Sequence, residues 1–307
     1  MEEGILFHNH YLLKRVLGRG GFSEVWLAED VHVNHMEVAL KVYAPGMVDN
    51  DIVQDLRKQW KIVFNFHHSH LLCPIHFDVF ERSPYLVLPY CERGSATNLI
   101  GAISEDEAWR FLRDVASGLA YLHEPEMPII HQDIKPHNVL MDNMENFLIT
   151  DFVIRTKVRG KFGVFAYMAP ERFGENPMPI KASDIWSLGA TMFELLEGDT
   201  PYGDHGGLVQ KSGAEIPDLK GNWSPALKKI VKLCLLNETW DRPTAMQLVE
   251  WCEKRAKGEN ILPELIKFEN KRNRPKPWKK IVWGIAACVA AILIALLIFK
   301  QGRQYGT

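Results

Sequence analysis

His131-Gln132-Asp133-Ile134-Lys135-Pro136-His137-Asn138-Val139-Leu140 is the stretch on which the reading of this chain turns. Three polar groups of different chemistry fall within it: the Asp133 carboxylate, the Lys135 ammonium and the Asn138 carboxamide. Apolar segments enclose the loop, Pro128-Ile129-Ile130 before it and Val139-Leu140-Met141 after it. Moving a phosphoryl group onto a hydroxyl requires a base for the proton, a cation for the developing charge and an oxygen ligand for magnesium. After one more strand-like run, residues 146–150, Asp151-Phe152 offers a second hard oxygen for that ion. Each piece alone is also what a loop with capping residues would contain. Their order and spacing together point to the chemistry.

Upstream, Leu17-Gly18-Arg19-Gly20-Gly21-Phe22-Ser23-Glu24-Val25 lies between two strand-like runs, residues 11–17 and 24–29. Glycines let backbone N–H groups approach phosphate oxygens without a Cβ in the way, although a plain hairpin turn is glycine-rich too. Val38-Ala39-Leu40-Lys41 then reads as a strand ending in a lysine among apolar neighbours; taken alone, that lysine is an ordinary edge-strand charge. Residues 37–43 and 84–90 are further strand-like runs, rich in β-branched and aromatic side chains. Residues 49–66 have helical spacing, with Ile52, Leu56, Trp60, Val63 and Phe64 on one face. Beyond Gly94 the pattern turns helical. Ser104 with Glu105 and Glu107 caps a helix over residues 105–124, and further helical patterns cover 183–198, 224–236 and 244–257. No internal repeat is present. The simplest partition is α+β: a small β-rich lobe and a larger helical one.

The 307 residues are 47% hydrophobic and 24% charged, a globular composition. A formal net charge of -2 argues against a nucleic-acid partner, which would call for a basic excess. Five scattered cysteines without a C-x-x-C pair argue against a disulfide framework and a cysteine zinc site, and so for a reducing cytosol. The N-terminus is acidic and has no long apolar run, unlike a secretory signal. His67, His68 and His70 have spacings a metal could use, but no Cys or carboxylate partner is close in sequence.

Residues 281–299 contain no charged side chain over about nineteen positions, the length of a membrane-crossing helix. Trp278 and Trp283 sit near one boundary. Lys271, Arg272, Arg274, Lys276, Lys279 and Lys280 precede the run, and only Lys300 and Arg303 follow it. The heavier basic flank belongs in the cytoplasm, where it would also attract anionic membrane lipid. The organisation expected is a folded domain over 11–256, a basic juxtamembrane linker over 257–280, the span, and a short extracytoplasmic tail over 300–307. The small residues Gly284, Ala286, Ala287, Ala290 and Ala291 would suit dimerisation within the bilayer, but such residues are common in spans.

Over residues 11–256 the chain resembles the eukaryotic-like (Hanks-type) Ser/Thr protein kinases. The resemblance rests on the stretches already quoted and on Met168-Ala169-Pro170-Glu171, Asp184-Ile185-Trp186-Ser187-Leu188-Gly189 and Asp241-Arg242-Pro243-Thr244. It implies the two-lobed kinase fold, with an N-lobe over 11–88, a hinge over 89–94 and a C-lobe over 95–256. It implies ATP with Mg²⁺, or Mn²⁺ in its place, and protein substrates with Ser/Thr acceptors. By the same resemblance Lys41 holds the α- and β-phosphates beneath Gly18 and Gly20. Asp133 accepts the substrate proton, Lys135 steadies the transferring group, and Asn138 and Asp151 bind the metal. The adenine lies between Leu17, Val25 and Ala39 above and Leu140 below, against Leu88, Tyr90 and Cys91 of the hinge. Glu171 and Arg242 form a buried ion pair, and Asp184 supports the catalytic loop.

Four departures stand out. Gln59 occupies the helix position where the family keeps a glutamate for Lys41, with Asp55 one turn away as a shorter substitute. Gln132 replaces the arginine before the catalytic Asp, so a phosphate on the activation segment would lack that partner. Val153 replaces a glycine, and Val164 a Ser/Thr, while Thr156 is the one phosphorylatable position of that segment. Ser23 in place of the third glycine is a tolerated variation. None of these removes an atom expected to touch ATP, magnesium or the proton. The expectation is therefore a working kinase not switched by activation-segment phosphorylation, the alternative being a membrane-anchored pseudokinase scaffold.

Overall fold

The computed structural model describes residues 1–21, 23–44, 50–126, 128–151, 165–174, 177 and 179–272. Strands β1 (Leu6–Phe7), β2 (Tyr11–Arg19), β3 (Ser23–Asp30), β4 (Met36–Tyr43), β5 (His76–Phe80) and β6 (Ser83–Pro89) form one antiparallel sheet in the order β1-β2-β3-β4-β6-β5. Alternation along β4 sets its two faces. Val38, Leu40 and Val42 pack with Tyr11, Leu13, Trp26, Tyr85 and Val87 on one side. Ala39 and Tyr43 join Leu72, Leu86, Leu88 and Cys91 on the other. Lys41 has the parity of Ala39 and Tyr43. The β5–β6 hairpin closes through Glu81-Arg82, whose φ values of 48° and 66° make a type I′ turn without a glycine. Helix α1 (Asn50–Val63) buries Leu56 and Val63 and lays Trp60 against Phe77.

The helical lobe is built on α2 (Glu105–His123) and α3 (Lys181–Glu197). Ser104 Oγ accepts from Glu107 N at 3.3 Å and the Glu107 carboxylate accepts from Ser104 N at 3.1 Å, the reciprocal cap expected of that sequence. Trp186, Leu188 and Leu195 of α3 are fully buried, and Gly198 at φ 88° ends the helix. The hairpin of β7 (Val139–Met141) and β8 (Phe147–Ile149) carries the loop quoted first and leads into Asp151. Helices α4 (Gly207–Lys211), α5 (Pro225–Cys234) and α6 (Ala245–Ala256) complete this lobe.

The sequence carries no clear signal for several elements, β5 and α7 among them. β5 carries the sequence HFDVF, too short and too evenly half-buried for a clear alternation. Residues 257–280 were assigned to a linker, yet α7 (Leu262–Arg272) lies within them. Its signals are Pro263 at the helix start and Glu264 in the first turn, features that favour a helix N-terminus. Among the described residues no helix is long and apolar enough to cross a membrane. The apolar run 281–299, like Val153, Thr156 and Val164, lies outside the described residues.

Candidate active site

Antiparallel pairing places Lys41 of β4 opposite Val25 of β3 and Leu86 of β6. Its Nζ donates to Asp151 Oδ1 at 2.5 Å, an ion pair joining the two lobes. Lys41 is 9% exposed. Val25, Ala39, Leu88, Cys91 and Leu140, drawn from both lobes, gather in one apolar cluster. Leu17, 36% exposed, and Tyr90, whose hydroxyl accepts from Arg15 Nη2 at 3.0 Å, stand outside that cluster. Gly20 N donates to Ser23 O at 2.8 Å to close the turn. A Cβ at Gly18 or Gly21 would meet no atom within 4 Å, and one at Gly20 only Ser23 at 3.5 Å. The fold itself therefore does not need these glycines. Their lack of side chains leaves the backbone open to a ligand.

On the catalytic loop, Lys135 Nζ donates to both Asp133 carboxylate oxygens at 3.0 and 3.1 Å. Asn138 Nδ2 donates to Asp133 O at 2.8 Å and to Asp133 Oδ2 at 2.9 Å. The amide nitrogen of Asn138 is thereby committed, and its Oδ1 is left as a hard-oxygen donor alongside the Asp151 carboxylate. Behind them, His131 Nδ1 accepts from Asp133 N at 3.2 Å while its Nε2 donates to Thr150 O at 3.0 Å. That pattern is the neutral imidazole, and burial holds the His131 pKa below the ordinary histidine value. Buried Asp184 accepts from His131 N at 2.8 Å, Gln132 N at 2.7 Å and His123 Nε2 at 2.9 Å. These bonds hold Gln132 at φ 72°, and Asp151 likewise sits at φ 64°.

Arg242, 2% exposed, spends all five of its N–H donors. Nη1 donates to Glu171 Oε1 and Ala182 O at 2.8 Å each, Nη2 to Glu171 Oε2 and Asn237 O at 2.9 Å each, and Nε to Leu236 O at 2.6 Å. Gln59 faces a cavity of about 40 Å³ with Leu56, Trp60, Phe77, Leu86 and Asp151, and its Oε1 is buried with no hydrogen-bond partner among the described residues. Of the three clustered histidines, His70 Nδ1 lies 3.1 Å from Phe147 O and His67 Nδ1 3.0 Å from Asn65 O. Among the described residues no group of three His, Cys, Asp or Glu is arranged to hold a metal ion.

The family model described as the protein kinase domain matches residues 11–251. The chain belongs to the protein kinase family. Kinases of this family use ATP with Mg²⁺, for which Mn²⁺ can stand in, and the donor set of Asn138, Asp151 and Lys41 fits that pair. The chain is 30% identical over 248 residues to the serine/threonine-protein kinase PrkC of Bacillus subtilis, covering 76% of this chain and 38% of that protein. It is 30% identical over 275 residues to the serine/threonine-protein kinase dst1 of Dictyostelium discoideum, covering 83% and 36%. It is 28% identical over 288 residues to the maternal embryonic leucine zipper kinase of Xenopus laevis, covering 84% and 44%. This kinase thus spans well under half the length of these relatives. Sequence reasoning missed Arg172, whose Nη1 donates to Gln132 Oε1 at 3.2 Å.

Proposed function

We propose that this kinase phosphorylates Ser or Thr hydroxyls of proteins while tethered to the cytoplasmic face of a membrane, and that phosphorylation of its activation segment does not switch it. The observation that carries the reading is the Asp133 carboxylate, held at once by Lys135 and Asn138 and braced from behind through His131. ATP with magnesium, when bound, supplies the phosphoryl group and offsets its charge. Asn138 Oδ1 and the Asp151 carboxylate would hold the metal, and Lys41 the phosphates, with Gly18 and Gly20 leaving room for backbone approach. Val25, Ala39, Leu140, Leu88 and Cys91 would enclose the base, with Leu17 and Tyr90 at its rim. Asp133 takes the proton of the acceptor hydroxyl, a contribution of roughly 10²–10⁴-fold for a positioned general base. Lys135, within hydrogen-bond distance of Asp133, steadies the charge that develops as that proton leaves. The relatives named as serine/threonine kinases support hydroxyl acceptors of that type.

The tether rests on the uncharged run 281–299 and its basic flank, which would bind anionic lipid and hold the catalytic domain on the cytoplasmic side. Dimerisation through the span's small residues is a secondary element of the same proposal. A second reading, a nucleotide-binding scaffold, is favoured by the orphaned Gln59 Oε1. Labelled ATP with Mg²⁺ or Mn²⁺, a generic protein substrate and the full chain in detergent separate the two. Wild type should incorporate label at least a hundredfold faster than Asp133→Ala; equal incorporation under both ions leaves the scaffold.

A further inference from the structure

Arg172 lies next to Glu171 on the segment that runs from Phe165 to Phe173, and its guanidinium is partly buried. Asp184 and Glu171 are the acids whose charge it feels. Both already accept several hydrogen bonds from other groups. Asp184 accepts from His123, His131 N and Gln132 N. Glu171 accepts from both Arg242 nitrogens and from Ser183 Oγ at 2.8 Å. The Nε of Arg172 is buried with no partner among the described residues, and its Nη1 turns to the neutral Gln132 carbonyl. A guanidinium that donates to a neutral acceptor gains less from that bond than one that donates to an anion, so charge pairing does not account for the contact with Gln132.

The rest of that segment is fixed to the helical lobe by further hydrogen bonds. Gly207 N donates to Met168 O at 2.9 Å, Ser187 Oγ to Tyr167 O at 2.7 Å, and Tyr167 OH to Glu194 Oε2 at 2.5 Å. A Cβ at Gly207 would lie 2.3 Å from Pro170 N, so the helix start seats directly on the segment's backbone. Arg172 adds the link to the catalytic loop, at the residue immediately before Asp133. The resemblance expects the reverse layout, an arginine on the loop and a phosphate on the segment. Here the cation is on the segment and an acceptor that is always present is on the loop.

We propose that Arg172 is a positioning residue whose hydrogen bond to Gln132 permanently latches the segment to the catalytic loop, in place of a phosphate. The proposal rests on the phosphotransfer reading above and supplies a physical basis for its independence from phosphorylation. The test uses the full chain in detergent, with kcat and KM for a protein substrate, calorimetric ATP affinity, and deuterium uptake at residues 131–134 and 165–173. Arg172→Ala and Gln132→Met should each lower kcat roughly tenfold, the worth of one hydrogen bond, and leave ATP affinity within about twofold. Uptake should rise in both segments, and the double variant should be no worse than the poorer single one. Gln132→Glu, which keeps the acceptor, should retain kcat, and the swap Arg172→Gln with Gln132→Arg should recover most of it. Phosphatase treatment of wild type should leave kcat unchanged. Unaltered uptake in both single variants, additive losses in the double, or a fall in kcat after phosphatase overturns the latch. A wild type that transfers no label overturns the phosphotransfer reading instead, and the exchange measurement still decides the latch.

Discussion

Replacing Arg242 by Met removes a side chain that uses all five of its donors, and its cost can be worked from the bonds it makes. Five acceptors lose their donors: two on Glu171 and one each on Ala182, Asn237 and Leu236. Glu171 is left with Ser183 Oγ and a carboxylate in a site no longer neutralised. Breaking a buried pair from one side costs about 3–5 kcal/mol. For a domain of this size that is a fall in Tm of roughly 6–20 °C. Arg242→Lys keeps the charge but offers three donors for five acceptors, so at least two bonds are lost, about 2 kcal/mol. The double variant Arg242→Met with Glu171→Met should cost less than the two singles summed, because no charge is then stranded. An acid series gives a second check. Burial alone would raise the Glu171 pKa, but the hydrogen bonds and charge of Arg242 outweigh it and leave the carboxyl below its ordinary value. A depressed folded pKa means stability that is present above the unfolded value and lost as pH falls through the folded one. The penalty of Glu171→Gln should therefore be full at neutral pH and shrink below the ordinary carboxylate range. Thermal and urea unfolding across pH measures all of this. A shift under about 2 °C for Arg242→Met, or strict additivity in the double, refutes the assignment of this pair as the brace of the helical lobe.

Gln59→Leu should stabilise the chain by about 1 kcal/mol, because it deletes a buried acceptor with no partner beside a largely apolar cavity. Urea midpoints report it, and a destabilised variant would mean that the Gln59 carbonyl is already served. Arg82→Gly should stabilise by roughly 0.5–1 kcal/mol, since Arg82 sits at φ 66° in a two-residue type I′ turn that prefers glycine. A lower midpoint would show that the arginine side chain, not the turn, dominates there.

What the sequence made legible follows from how far apart the interacting groups lie along it. Asp133, Lys135 and Asn138 meet within a span of six residues, so their chemistry could be read as a local pattern. In sequence Lys41 read on its own as an ordinary edge-strand charge and took its role from the resemblance; its shared face with Ala39 and Tyr43 comes from the sheet. The capping of α2 was equally local. The Lys41–Asp151 bond spans 110 positions, and the Arg172–Gln132 bond 40. Neither has a periodic or contiguous signature, and only the fold brings the partners together. Gln59 was visible as a departure, but that its oxygen ends buried and unpartnered depends on the packing of α1 against Phe77 and Leu86. Helix α7 was hidden because its charged residues read as a linker, whereas its start signals, Pro263 and Glu264, were modest.

The order of residues in the quoted stretch has a geometric reason that links the two aspartates. His131 receives the Asp133 N–H on Nδ1 and gives its own proton to Thr150 O, the residue before Asp151. A charged imidazole would present a second donor against the Asp133 amide and break this bridge, and burial opposes that charge. Asp184 offers its carboxylate to the backbone of His131 and Gln132, not to the His131 ring, and so fixes the loop's left-handed turn; its charge favours a protonated ring, and burial outweighs that pull. A neutral histidine two residues before one aspartate therefore sets the height of the other aspartate across the β7–β8 hairpin. Replacing either hairpin strand by a longer one would shift Thr150 relative to His131 and separate the aspartates, even with every polar residue retained. The spacing between Asp133 and Asp151 is thus a constraint of the backbone bridge.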